Sequence, residues 1–544
     1  MTIYIYFILI FFSIIGYGFT ANKFLKLNIN NFGNFGILGI ICLSLISYST
    51  SFLINHGYYF NSLILIFGII FFLQNINFIA NKKKQIYLSL SIILFLILFI
   101  SIGKNHDDFP YYHFPYTAIL TEFSHPIGLG QLNNGFRSPS SLFFINSLFF
   151  LPGLQYYGFH FAAAYIFCFA NIVLINLVFK NKFFVREKFI NFLSLLIFIY
   201  INIFFYRLAE HGTDRSGMIL TMISLVYFFL ILLDRDKIDN QNLNNHLKLF
   251  IIYLCFIFTI KPFFIINFIF FIILFFNKRL RVETINLFFS KIIYFSLFLV
   301  SFTIFYTFIN SGCLIFPLSI TCFENLSWSI DKKHINEVSQ WFELWSKNGA
   351  SPNFEIEDKK IYLENFNWLS NWIDNYFFNK VSDYLLGLTF MVFTVSGFFL
   401  KYQSDSIKKF DKFLISYLLI ILLFLEWFLR HPALRYGGYH LIALIFIIPI
   451  CFRLSKKKIN FKEFSKKTLF LVILTCIIFL SRNLVRINNE YKLYSYNLLK
   501  DPKYLFMEKN KDYYLRHNIQ IRNNINDSNT EFFLGKKIFT TNLN

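Results

Sequence analysis

The sequence predicts an all-α integral membrane protein of about 14 transmembrane segments, with its functional loops gathered on one outer face. Three observations predict this. Of 544 residues, 56% are hydrophobic and only 15% charged, with a mean hydropathy of +0.53; so few charges cannot coat a soluble protein of this size. Apolar runs such as Ile86 to Ile102 and Phe413 to Phe428 are long enough to cross a hydrocarbon core of roughly 30 Å. These runs lack the period-2 alternation of barrel strands, and backbone in lipid must satisfy its own hydrogen bonds, which leaves helices.

Taken in order, the first run, Ile3 to Tyr17, has neither a basic leading region nor a small-residue cleavage site, so it reads as a span rather than a signal peptide. The apolar segments fall at 3–20, 36–55, 59–80, 86–103, 156–179, 189–206, 217–233, 249–260, 262–276, 288–309, 384–400, 413–429, 439–452 and 468–481. The net charge of +21 could suggest a nucleic-acid partner, but the positions of the charges exclude it. Alternate connections hold Lys23 and Lys26; Lys82 to Lys84; Lys180, Lys182, Arg186 and Lys188; Arg235, Lys237 and Lys248. The same series continues with Lys278, Arg279, Arg281 and Lys291; Lys401, Lys408, Lys409 and Lys412; and the block from Arg453 to Lys467. Together these connections carry 27 of the 51 basic residues, against seven in the short opposite ones. The positive-inside rule puts the basic set in the cytoplasm and the N terminus outside.

Residues 249–276 test that assignment. As one helix they would reach about 42 Å at 1.5 Å per residue, too long for one comfortable span and short for two. Lys261-Pro262 interrupts the run, so two short or tilted half-length segments meeting near the outer face are expected. Leu142 to Leu151 is too short to span and is expected in the interface or as a re-entrant piece. Outside the spans stand the outer pieces 104–155 and 310–383 and a polar tail, 482–544. The expected organisation is an N-terminal four-span addition at 1–103, a transmembrane core at 104–481 and a non-cytoplasmic tail at 482–544. Seven cysteines show no metal-binding spacing. Cys313 and Cys322 both fall in the second outer loop, where an oxidising exterior permits a disulfide; two free thiols weigh equally.

The unusual polar residues cluster in the outer connections. After the fourth span comes Asn105-His106-Asp107-Asp108-Phe109-Pro110-Tyr111-Tyr112-His113. Adjacent carboxylates at a membrane surface repel one another, and one of them, partly buried, would have a raised pKa suited to a general base. A solvated cap or turn is the plainer alternative. A later connection reads Arg207-Leu208-Ala209-Glu210-His211-Gly212-Thr213-Asp214-Arg215. On a continuing helix His211 and Arg215 share a face, as do Glu210 and Asp214, and Arg can hold a phosphate bidentately. An internal salt-bridge lattice, Arg207 with Glu210, weighs about the same. Lys261 lies between apolar segments, where it either serves an anion or snorkels to the surface. Arg435, in Arg430-His431-Pro432-Ala433-Leu434-Arg435-Tyr436-Gly437-Gly438, could reach a phosphate, and Arg137 offers another anion or sugar contact.

This set resembles the GT-C membrane glycosyltransferases, which include the protein O-mannosyltransferases and the aminoarabinose transferases of lipid A. Asp107-Asp108 followed by Tyr111-Tyr112-His113 looks like their acidic pair and Tyr-Tyr signature, Thr259-Ile260-Lys261-Pro262 resembles a Thr-Lys step after an apolar helix, and Arg435-Tyr436 is similar to a late Arg-Tyr motif. The likeness covers about 100–450 and points to a bacterial branch. It departs in placing the acidic loop after the fourth span instead of the first, in one extra residue before the tyrosines, and in Asp as the second acid.

The resemblance implies an inverting transferase that moves a sugar from a polyprenyl-phosphate-linked donor to a glycan, lipid or protein acceptor. Asp107 or Asp108 would be the base. Arg215, Lys261, Arg435 and His211 would hold the donor phosphate, and His113, Arg137, Tyr111, Tyr112, Glu210 and Asp214 would contact substrate. Metal dependence stays open: Asp107, Asp108 and His113 could hold a divalent ion, Mg or Mn, but need not. Trp341, Trp345, Trp368 and Trp372 would stack on sugars or anchor to the interface. The expected setting is the bacterial inner membrane, with the site facing the periplasm or exterior. A lipid-linked oligosaccharide flippase, or a polymerase or ligase of surface polysaccharide, are the alternatives. A flippase should carry its charges near mid-membrane with repeat symmetry, and neither is visible.

Overall fold

The computed structural model describes residues 2–76, 83–100, 106–179, 185–234, 240–351, 355–403, 411–494, 508–526 and 531–539. Asn105 of the acidic loop and the basic residues Lys82, Lys180, Lys182, Arg235, Lys237, Lys408 and Lys409 lie outside the described residues. The chain is nearly all helical; among the described residues the strands are Phe532–Phe533 and Lys536–Lys537, an antiparallel pair in the tail.

Nine helices among the described residues are long and apolar enough to cross a membrane: Thr2–Phe24, Phe32–Ser51, Gln155–Val178, Gly212–Leu233, Gln241–Ile260, Lys291–Ser311, Phe413–Arg430, Gly438–Ser455 and Phe461–Leu493. Shorter apolar helices occupy Tyr58–Leu73, Gln85–Leu96, Lys188–Phe204 and Pro262–Phe275. They are not equivalent. The apolar window of Gly212–Leu233 is wholly buried inside the protein, whereas that of Phe413–Arg430 is 22% buried. The first is therefore the central helix, apolar all round because protein surrounds it, and the second leaves most of its surface outward, where apolar side chains suit lipid.

Buried polar groups tie the helices together. Asn34, on Phe32–Ser51, accepts hydrogen bonds from Tyr227 on the central helix and Tyr253 on the next, both at 2.9 Å. At the basic end, Lys188 donates to the Lys457 carbonyl (3.1 Å) and Lys457 to the Tyr402 carbonyl (2.7 Å), so buried ammonium groups meet carbonyls freed where the chain leaves a helix.

Two expectations are corrected. The 249–260 segment is not half-length: it belongs to one helix, Asn240–Ile260, whose polar first turns belong to the same element. The break at Pro262 does occur, since proline lacks the N–H to continue an α-helix, and a 3-10 stretch, Pro262–Ile269, follows. The last span does not stop at 481 either. Its helix runs unbroken over Phe461–Tyr494, so its last turns stand beyond the apolar run. Of the segment 142–151, Ser141–Ser147 forms a helix with every residue buried, and Thr259 donates to the Ser141 hydroxyl at 3.0 Å. The tail helix Glu508–Asn526 folds back onto the 104–155 connection, where Arg522 and Asn518 meet Glu122 at 3.1 and 2.6 Å. Cys313 and Cys322 are joined by a disulfide.

Candidate active site

Four charged side chains from four separate connections meet at one place. Arg435 stands at the centre: its Nη2 donates to Asp108 Oδ2 at 2.5 Å and its Nε to Asp214 Oδ2 at 3.1 Å. The other oxygen of Asp214 accepts from Lys261. One guanidinium thus bridges two carboxylates, and one carboxylate bridges two cations. Asp214 is buried, while Asp108, Lys261 and Arg435 remain partly open to solvent.

Local sequence places each of them. Asp214 is the third residue of the central helix Gly212–Asp234, where backbone N–H groups and the helix dipole favour a negative charge. Lys261 is extended because Pro262 ends the preceding helix, and its ammonium lies 5.3 Å from the Tyr436 ring centroid. Arg435 sits in a short turn, Leu434–Tyr436, between two helices. The indole N–H of Trp372 donates to the Pro432 carbonyl (2.9 Å), that of Trp427 to the Ala433 carbonyl (3.0 Å), and Tyr376 Oη accepts from the Leu434 N–H (2.8 Å). Gly437 follows at φ +104°, a conformation that side chains with a Cβ resist, and lets the chain turn at once into the next helix. The guanidinium itself lies over the rings of Trp345 and Tyr436, at 5.6 and 5.9 Å. Asp108 precedes a π-helical turn, Phe109–His113, which brings Tyr112 back so that its hydroxyl donates to Asp108 Oδ2 at 3.2 Å.

The electrostatics follow from this geometry. Burial pushes the Asp108 carboxyl up, but Arg435 and then the nearby His106 more than offset it and hold the group at about 2. Burial lowers Arg435, and the two carboxylates reverse that, so its pKa is raised. His106 and His113 are depressed mainly by burial, His113 to about 3, so both imidazoles are neutral at ordinary pH. The ligand-capable atoms of His106, Asp108 and His113 lie within 4.8 Å of one another.

Several expected site residues stand elsewhere. Asp107 is exposed and makes no hydrogen bond or ion pair with the described residues, so the acidic pair is split, and Asp107 is outside the trio that could hold a cation. Its neighbour alone turns inward because consecutive residues in a turn point apart. Tyr111 is exposed, and Tyr112 faces Asp108. His211 is fully buried, its Nε2 donating to the Phe205 carbonyl at 2.5 Å, and so does not present an imidazole to this cluster. Arg215 donates to the Glu210 carbonyl at 3.3 Å rather than joining Asp214. Glu210 takes part in the salt-bridge lattice, meeting Arg207 at 3.4 Å and Arg486 at 2.8 Å. Arg137 is buried in its own loop, with Nε on the Gly130 carbonyl at 3.2 Å.

The tryptophans divide. Trp368 and Trp372 are buried, and Trp341 is exposed, with its ring stacked at 6.2 Å on that of Trp345 beside Arg435. Sequence reasoning passed over His106, Trp427 and Arg486. His106 had a signal, the spacing His106-x-Asp108-x4-His113, whereas Arg486 lies in a segment read as an appendage. No curated protein and no solved structure matches the chain. Residues 1–442 match the model of a family described as a domain of unknown function, DUF8201, and the chain, with Asp108, Asp214, Lys261 and Arg435 all inside that match, belongs to that family.

Proposed function

We propose that the protein is an inverting membrane glycosyltransferase of GT-C type, moving a sugar from a polyprenyl-phosphate-linked donor to an acceptor hydroxyl on the non-cytoplasmic face of a bacterial inner membrane. One observation carries the reading: an acid and two cations from distant connections share one partly open site. In the transfer, the acceptor oxygen attacks the anomeric carbon and gives its proton to the Asp108 carboxylate. The bond from that carbon to the phosphate oxygen breaks, and polyprenyl phosphate leaves with the electron pair, its charge held by Arg435 and Lys261. Asp214 orients both cations from its buried position.

The free protein is poised rather than active on this scheme. A carboxylate held at about 2 by Arg435 is a weak base. A donor phosphate that draws Arg435 away releases Asp108 and restores its basicity, so the base is engaged only when the leaving group is in place. The membrane arrangement proposed with it has about 14 segments, the basic connections in the cytoplasm and the outer loops, with their disulfide, outside. The charges sit at helix ends rather than at mid-span, which disfavours a flippase.

The test is turnover by the purified full-length protein in liposomes. A panel of polyprenyl-phosphate-linked hexoses and pentoses is supplied with cell-envelope acceptors, and released polyprenyl phosphate is measured by mass spectrometry. Asp108→Asn should lower turnover by about 10²–10⁴-fold, the usual range for losing a general base. Asp107→Asn should stay within about tenfold of the parent on the same scale. A parent that turns over none of the donors, or an Asp108→Asn chain as fast as the parent, defeats the reading.

A further inference from the structure

Near Asp108, two imidazoles face a small cavity. His106 and His113 stack with ring centroids 5.4 Å apart, and both line that cavity together with Thr117, Asn146, His160 and Thr213. His106 Nδ1 is 3.7 Å from Asp108 Oδ2. His113 is 6% exposed, and its Nε2 has no hydrogen-bond partner among the described residues. A buried ring nitrogen left without a partner costs about 1–3 kcal/mol, and a bound ion removes that cost. Gly212 stands at φ +53°, and a Cβ there would come within 3.2 Å of both rings. The start of the central helix therefore packs closely against both imidazoles, which a side chain there would press upon.

From this geometry we propose that His106, Asp108 and His113 form a binding site for a divalent transition-metal ion of the zinc class. The ligand set decides the class: two neutral imidazole nitrogens with one carboxylate suit Zn²⁺, whereas Mg²⁺ and Ca²⁺ prefer oxygen. Three ligands at about 2.0–2.2 Å from an ion stand roughly 3–4 Å apart, so the trio, now within 4.8 Å, closes by roughly 1–2 Å at its widest pair. The cavity leaves the ion an open position. The inference stands on these ligands and deepens the transfer reading without depending on it. Asp108, Asp214, Lys261 and Arg435 sum to zero charge, so a divalent ion makes the site cationic and suited to a phosphate diester. It also competes with Arg435 for Asp108, which frees the guanidinium for that phosphate.

The experiment uses full-length protein in detergent, stripped with a chelator, dialysed against ZnCl₂ and assayed by inductively coupled plasma mass spectrometry. About one zinc per chain is expected, unaffected by millimolar Mg²⁺, and Co²⁺ in its place should give visible d–d absorption. Losing a ligand should weaken binding by more than the roughly 10–100-fold that follows loss of a ligand's hydrogen-bond partner. His113→Ala is the direct variant. His106→Ala, at a less buried position, keeps the test open if the first fails to fold. Zinc well below one per chain, displacement by Mg²⁺, or a His106→Ala chain that binds zinc as the parent does overturns the proposal. Zinc binding without sugar transfer would count against the transfer reading alone, and chelator-resistant transfer without zinc against the metal alone.

Discussion

Where the sequence resemblance implies a substrate contact for Asp214, the structure gives its carboxylate two ion pairs. It is buried, it takes one cation on each oxygen, and it occupies the first turn of the central helix. Removing one partner of a buried ion pair leaves the others uncompensated, at about 3–5 kcal/mol. Asp214→Ala should therefore lower unfolding free energy by about 3 kcal/mol, with Asp108→Ala costing less because its carboxylate is partly hydrated and Arg435 keeps Asp214. Chemical denaturation in detergent micelles reads the difference. Protonation tests burial at other single residues. His56 and His125 are kept neutral by burial down to about 3, with Lys536 adding to the effect at His125, whereas an unfolded chain protonates them near the ordinary 6.5. Between those values the unfolded form binds more protons, so stability falls as pH falls from about 6.5 toward 3. Melting temperatures that hold level across that interval would show these imidazoles open to water.

At the scale of elements, what aims Arg435 is the turn that carries it. Pro432 stops the helix that ends at Arg430, and the turn is then held by Trp372, Trp427 and Tyr376. Trp372→Phe keeps most of the ring packing and removes one donor, so it should cost about 1 kcal/mol of stability. Its effect on transfer should exceed that, with turnover down about tenfold and donor KM raised, because the guanidinium loses its fixed aim. A KM unchanged from the parent would make the indole a packing residue only. The break at Lys261-Pro262 was legible because proline interrupts any helix. The length of Asn240–Ile260 was not, since its polar first turns look like loop until a neighbouring helix gives them a buried face.

For the whole molecule, the proposed topology rests on the asymmetry of basic residues between the apolar helices. Two exposed positions test it. A cysteine at Ser370, in the second outer loop, should react with a membrane-impermeant maleimide in intact cells, and one at Lys458, in the basic block, only after permeabilisation. The reverse pattern would invert the proposed topology and move the site to the cytoplasm. The tail is tied to this frame more closely than its composition suggested. Arg486 on the last long helix reaches Glu210, and the Phe539 N–H pairs with the Ile127 carbonyl at 2.8 Å.

The sequence by itself determined that the chain is helical and membrane-embedded, where helix breaks fall, and that Asp108, Lys261 and Arg435 carry unusual charge, because hydrophobicity, proline and isolated charge act locally. Only the tertiary structure decided that Asp108 and not Asp107 faces inward, that Arg215 and His211 belong to the scaffold, and that His106 joins His113. Those outcomes depend on which groups from distant connections arrive to satisfy each buried charge, and no local pattern contains its partner.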